Sequence, residues 1–344
     1  MSSHIVNLDR HWDIELRVGT NSDVPAITFQ CCSRTLARSS PVFSRMLYGD
    51  SAEPKDRPGE WLVNLPDDDP VSSSVFLTII HGHFDRVPRA VTVKSLYGLI
   101  TLTNSHNATG ILAPWAGSWV SSLNHPANVD RASQWKTLWI CWELRCMGGF
   151  SETAHHILLH SEKSELEDIP TDDGMEMPPD IVERIRAIRI QTIRELLGAV
   201  DDAVKSLIVV EEKPSWFRHA RWVESRRCES IVLGSLMFCL MGAELWPLPE
   251  AHDIDESIAD LRTRIAGLVF YDIGPDTGEV DVDYRACNPG PEILDKIGQI
   301  MSDIADPVTP EELSETALNL STSPPEVSAA LRVAGGTAKW QCSQ

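Results

Sequence analysis

The chain has 344 residues with 42% hydrophobic and 23% charged side chains, which allows a substantial buried core and sets a prior of two domains. Its 30 Lys and Arg face 50 Asp and Glu, a formal charge of −20. Residues 1–125 hold 10 basic and 12 acidic side chains, net −2, leaving 20 against 38, net −18, for the remainder. Such a chain is repelled by phosphate backbones, which argues against direct nucleic-acid binding. No stretch approaches the roughly 18 apolar residues of a membrane span, and the first residues have no signal-peptide core. The eight cysteines follow no regular spacing. Together these features predict an intracellular protein, cytoplasmic or nuclear, with reduced thiols and no membrane contact.

In chain order, Ile14, Leu16 and Val18 alternate with Glu15 and Arg17, the period of a half-buried strand. A turn-rich stretch and the run ITFQCC predict the second strand of a hairpin. Leu36, Ala37, Phe43 and Leu47 then recur at helical spacing. Ser40 and Pro41 break that pattern, as a cap and a first helical residue. WLVNL predicts a strand with Trp61, Val63 and Leu65 on one face. The consecutive Asp67, Asp68 and Asp69 lack the alternation and glycine bend of a calcium loop. They are expected instead at the positive end of the next helix. That helix carries Val75, Phe76, Ile79 and Ile80. His81 and His83 at its end are compatible with strand-spaced ligands, but helix-terminal positions beside Gly82 are the reading taken. Residues 87–93 return to extended chain. Helices follow over 93–107 and 108–123, the latter with Trp115 and Trp119 stacked at i, i+4.

The segments DIELRVG, LARSSPVFSRMLYG, WLVNLPDDDP, FLTIIHGHFDRVPRAVTV and ILAPWAGSW, in this order over residues 9–124, resemble a BTB/POZ domain of the divergent filamentous-fungal type. The resemblance implies a small sheet capped by short helices, used for protein–protein contact and often for dimerisation. Dimerising members carry an extra N-terminal helix and strand. Here about eight residues precede the fold and include no good helix, so a homodimer is left open. Cys32 stands where many animal members have a histidine, so that histidine's contact is not carried over. No hydrophobic–x–Glu pattern of the cullin-binding members maps onto 87–93.

A linker is expected over 125–133. The next helix, beginning at residue 134, spaces Trp135, Trp139 and Trp142 as a core stripe, and Gly148 and Gly149 are expected to break it before a helix capped by Ser151. His156 and His160 sit at i, i+4, but no HExxH or third ligand accompanies them. Residues 164–180 read as an acidic loop, and 181–209 as the longest helix. Along it Arg184, Arg186, Arg189 and Arg194 are expected on a solvated, ion-paired face. The basic aromatic stretch 214–227 has the composition of a single-strand nucleic-acid site, and an intramolecular dock is preferred to it. His219, Cys228 and Cys287 form no zinc knuckle in sequence. The run containing Cys239 reads as a buried helix closed by Gly242 and Pro247, and two amphipathic helices follow it. Residues 306–344 read as a disordered tail, in which Trp340 is read as an exposed aromatic in preference to a short docking point.

These readings predict an α+β protein: a BTB/POZ-like sheet capped by helices (9–124), a linker (125–133), a mostly helical domain (134–305) and a tail (306–344). The expected function is a non-catalytic interaction module, an adaptor or scaffold for a protein partner. Alternatives are a substrate adaptor of a cullin ubiquitin ligase, a transcription-regulatory scaffold, and a metal-dependent enzyme in the helical half. The chain contains no GxSxG, GxxxxGK[ST] or GxGxxG, and no catalytic, cofactor-binding or metal-ligating residue is assigned.

Overall fold

Ile14, Leu16 and Val18 are fully buried, and their alternation with outward-facing Glu15 and Arg17 builds the sheet. The computed structural model describes residues 4–21, 25–49, 61–123, 130–169, 175–208, 222–269 and 288–309. The strands β1 (His4–Asn7), β2 (Ile14–Val18), β3 (Ile27–Cys31) and β4 (Leu62–Leu65) form one sheet in the order β1-β3-β2-β4. The expected hairpin is the antiparallel β2–β3 pair, and β4 returns parallel to β2. β1 was not expected. Its four residues run parallel to β3, with His4 opposite Ile27; Ile5 and Val6 suit a strand, and the pairing with β3 makes them one.

Between β3 and β4 lie α1 (Ser33–Ser39) and α2 (Pro41–Tyr48). The Asp13 carboxylate accepts from the Ser33 amide at 2.7 Å and from its hydroxyl at 2.5 Å, so the strand entry caps α1. Ser40 caps α2 through the Phe43 amide, with Pro41 in the first turn. Behind the sheet stand α3 (Pro70–Ile80), α4 (Val93–Ser105) and α5 (Ala113–Ser122). Trp115 and Trp119 on α5 stack as expected, 6.0 Å apart.

The helical half contains α6 (Arg131–Glu143), α7 (Met147–His160), α8 (Lys163–Glu167), α9 (Ile181–Ile208), α10 (Trp222–Gly242), α11 (Ile258–Ala266) and α12 (Gly290–Ser302). Here α6 faces two ways. Trp139 and Ile140 join the core beneath the sheet, whereas Trp135 and Leu138 join the core around α7 and α9. Each core also holds a buried cysteine: Cys31 in the first, Cys141 in the second. Burial pushes the Cys31 thiol well above its ordinary value and that of Cys141 up to about 12.

Four expectations need correction. Gly148 and Gly149 do not break a helix. They lie in the first turn of α7, and the turn comes earlier, at Arg145 with φ 57°. Ser151 is therefore inside α7 and bonds Asp306 at 3.1 Å instead of capping. Residues 164–180 are not simply a loop: α8 occupies 163–167, stabilised by a reciprocal Glu162–Glu165 capping box, and Met175 is buried. Finally, α10 is not buried all round. Val232, Leu236 and Leu240 face the core, while Phe238 and Met241 are exposed.

The two glycines of α7 differ in their surroundings. A Cβ on Gly149 would lie 3.0 Å from both Cys141 Sγ and Val120 Cγ1, whereas nothing lies within 4 Å of one on Gly148. Gly149→Ala is therefore expected to lose about 1 kcal/mol or more through overpacking, and Gly148→Ala to gain about 0.5–1 kcal/mol of helix propensity. Urea unfolding midpoints that shift in opposite directions would bear this out; equal shifts would refute it.

Candidate interaction surface

The sequence-singled polar residues do not converge on one site. Asp67 accepts from Asn21 Nδ2 at 2.9 Å. Asp69 caps α3 through the Ser72 amide at 2.7 Å. Asp68 lies 3.1 Å from Nε2 of His106. His106 is buried, its ring 4.5 Å from Phe43 and 5.7 Å from Phe76, and its carbonyl accepts from Ser40. It is a polar node in the core that sequence reasoning missed, because its partner sits 38 positions away.

His81 and His83 tie α3 to the sheet. His81 Nδ1 lies 2.8 Å from the Leu77 carbonyl and donates to it, while Nε2 accepts the Cys32 amide at 3.2 Å. The ring is thereby held neutral, with Nδ1 protonated. His83 Nε2 reaches the Leu8 carbonyl at 2.8 Å, anchoring the turn that follows β1.

Burial lowers the His81 pKa; the Leu77 bond and Asp9 oppose this, and His83 adds to it. Since the folded-state value is depressed, the unfolded chain takes up the proton first on acidification. The stabilisation is full above the ordinary histidine value of about 6.5 and is lost as pH falls from there through the folded value. His81→Gln is thus expected to flatten the fall in urea midpoint between pH 7.5 and pH 5. Parallel curves for the two proteins would count against it.

The His156 and His160 rings lie 4.5 Å apart and tilted to each other, and no group of three or more His, Cys, Asp or Glu capable of holding a metal occurs among the described residues. The segment 214–221, with His219, lies outside the described residues, as do Cys287 and Trp340. The side chains of residues 222–229, including Cys228, are likewise outside them.

What the N-terminal unit does present is apolar surface at its rim. Leu62, 47% exposed, lies on edge strand β4 beside Trp61, whose ring meets Tyr48 edge-on at 5.9 Å. The Tyr48 hydroxyl is fixed 2.6 Å from Ser33 Oγ, so this aromatic is held at the surface by the same Asp13–Ser33 cap that starts α1. A second patch centres on Phe84, 61% exposed, whose ring lies 5.7 Å from Trp115. Large rigid aromatics at a surface suit protein contact, since they contribute area at low conformational cost. The sequence marks these residues as strand, turn and helix members, but their exposure depends on how the sheet closes.

Among the described residues no helix is long and apolar enough to cross a membrane. No family model matches the chain, and no curated protein matches it.

Proposed function

We propose that residues 9–124 form a BTB/POZ-like interaction module and that the chain acts as an adaptor or scaffold for a protein partner, in the cytoplasm or nucleus. The observation that carries this reading is the path of the chain. An antiparallel hairpin leads into two short helices, a parallel return strand and three helices behind the sheet, which is compatible with the small sheet capped by short helices that the resemblance implies. The rim patches at Leu62 and Phe84 supply apolar surface for a partner. A cullin ubiquitin ligase and a transcription-regulatory assembly are the two settings in which such an adaptor would serve.

The test is affinity capture with the full chain, comparing wild type with Leu62→Asp and Phe84→Asp. A partner recovered in near-equal amount and lost in one variant supports the proposal, and recovery of a cullin selects the ligase setting. A recovered set unchanged by both substitutions overturns the role of these patches. Light scattering of the full chain decides self-association: a concentration-independent monomer removes the homodimer.

A further inference from the structure

Arg189 corrects the expectation of a wholly solvated arginine face on α9. Arg186 pairs with Glu183 at 3.8 Å and remains half exposed, as expected. Arg189 instead is 2% exposed. Its hydrogen bonds all leave through Nη2, to the carbonyls of Ile254 and Asp255 at 3.0 Å and of Glu256 at 2.7 Å. Nε is buried and has no partner, and no carboxylate pairs with the guanidinium among the described residues. Burying a cation with no carboxylate in contact costs several kcal/mol, which the carbonyl dipoles and the nearby charges of Asp255, Glu167 and Glu256 offset only in part.

This side chain lines a cavity of about 350 Å³ between α8, α9 and the turn at His252. Lys163 and Arg186 stand at it as further cations, Leu166 and Ile190 give it an apolar wall, and Glu167 is its one carboxylate. The nearby acids are engaged elsewhere: Asp255 accepts from the Ser164 amide at 3.1 Å, and Glu256 pairs with Arg264. A concave, largely apolar cavity of this size with a few convergent polar groups is the form taken by small-molecule sites.

We propose that the cavity binds a small amphipathic carboxylate. The carboxylate faces the Arg189 guanidinium, which has no carboxylate in contact among the described residues, near Lys163 and Arg186. The apolar body lies against Leu166 and Ile190. Lys163 lies 4.0 Å from Glu167 and Arg186 3.8 Å from Glu183, which leaves Arg189 as the lining cation without a carboxylate in contact; one negative charge matches it, and the apolar wall offers no partner for a second, so a monoanion fits better than phosphate.

Isothermal titration of the full chain with octanoate, 1-octanol and inorganic phosphate tests this. Octanoate is expected to saturate at one per chain, with octanol and phosphate each at least roughly ten-fold weaker. Ile190→Trp, which fills the cavity, is expected to abolish binding. Lys163→Glu is expected to weaken it roughly five- to ten-fold. Lys163 is 43% exposed and its Nζ donates to the His252 carbonyl at the rim, so its variant leaves the buried core intact and decides the matter if the tryptophan variant does not fold. Octanoate failing to saturate, octanol or phosphate binding as tightly, or binding indifferent to Lys163→Glu overturns the proposal.

Discussion

Trp139→Ala is expected to cost about 3–5 kcal/mol, a large share of the 5–15 kcal/mol that holds a typical domain folded. Trp139 is 1% exposed on α6, and its ring lies 5.1 Å from Tyr97 of α4. Truncation leaves a hole where the helical half meets the core beneath the sheet. Since Trp135 and Leu138 of the same helix pack into the other core, the damage should be felt in both halves. Urea unfolding followed by far-UV circular dichroism should show one transition moved to lower urea, not two separate ones. Trp139→Phe is the informative control. It retains most of the ring contact and removes an indole N–H that is buried without a partner among the described residues, so its cost should stay below about 2 kcal/mol. Equal losses for both variants would show that ring volume is not what matters here. The same geometry predicts that a fragment ending at residue 125 is less stable than the corresponding part of the whole chain, because it lacks α6.

Arg189→Ala is expected to be comparably severe, at about 3–5 kcal/mol by thermal or urea unfolding. Three carbonyls that lead into α11 would lose their donor at once, and a cavity would open beneath them. Ser257, the N-cap of α11 through the Asp260 amide at 3.1 Å, follows directly, so the start of that helix should fray with the turn. Burial lowers the pKa of Arg189, with Asp255, Glu167 and Glu256 opposing it, yet a guanidinium remains charged across the working range. Arg189→Lys therefore keeps the cation but replaces a planar fork with a single ammonium, and should recover only part of the loss. Full recovery by lysine would mean that charge alone, not the shape of the guanidinium, holds the turn.

Local chemistry was the legible part of this fold. The alternation at Ile14, Leu16 and Val18 determines which face of a strand is buried whatever its neighbour. Ser40–Pro41 and Asp69–Pro70 carry capping chemistry within three residues of the amides they serve. The apolar period of α9 runs the length of the helix, so its start at Ile181 and its end near residue 208 could be placed closely. Features set by distant partners were not legible. β1 is a strand because β3 lies beside it. Gly149 is crowded because Val120 and Cys141 approach it from other helices. Periodicity gives an arginine at position 189 no reason to be buried: its acceptors lie 65–67 residues further along. The rim patches follow the same rule, since exposure at Leu62 and Phe84 belongs to the assembled unit and not to either segment alone.

Among the described residues, the placement of one shielded thiol in each core gives the protein a pair of internal clocks. Cys31 and Cys141 are fully buried and held protonated, so an alkylating reagent reaches either only when the surrounding core opens. Rates of labelling at the two positions, separated by peptide mass, thus report the opening of the sheet core and of the helical core independently, with no substitution introduced. Equal rates would mark a single cooperative opening transmitted through α6. A faster Cys141 would show that the helical half breathes while the sheet stays closed.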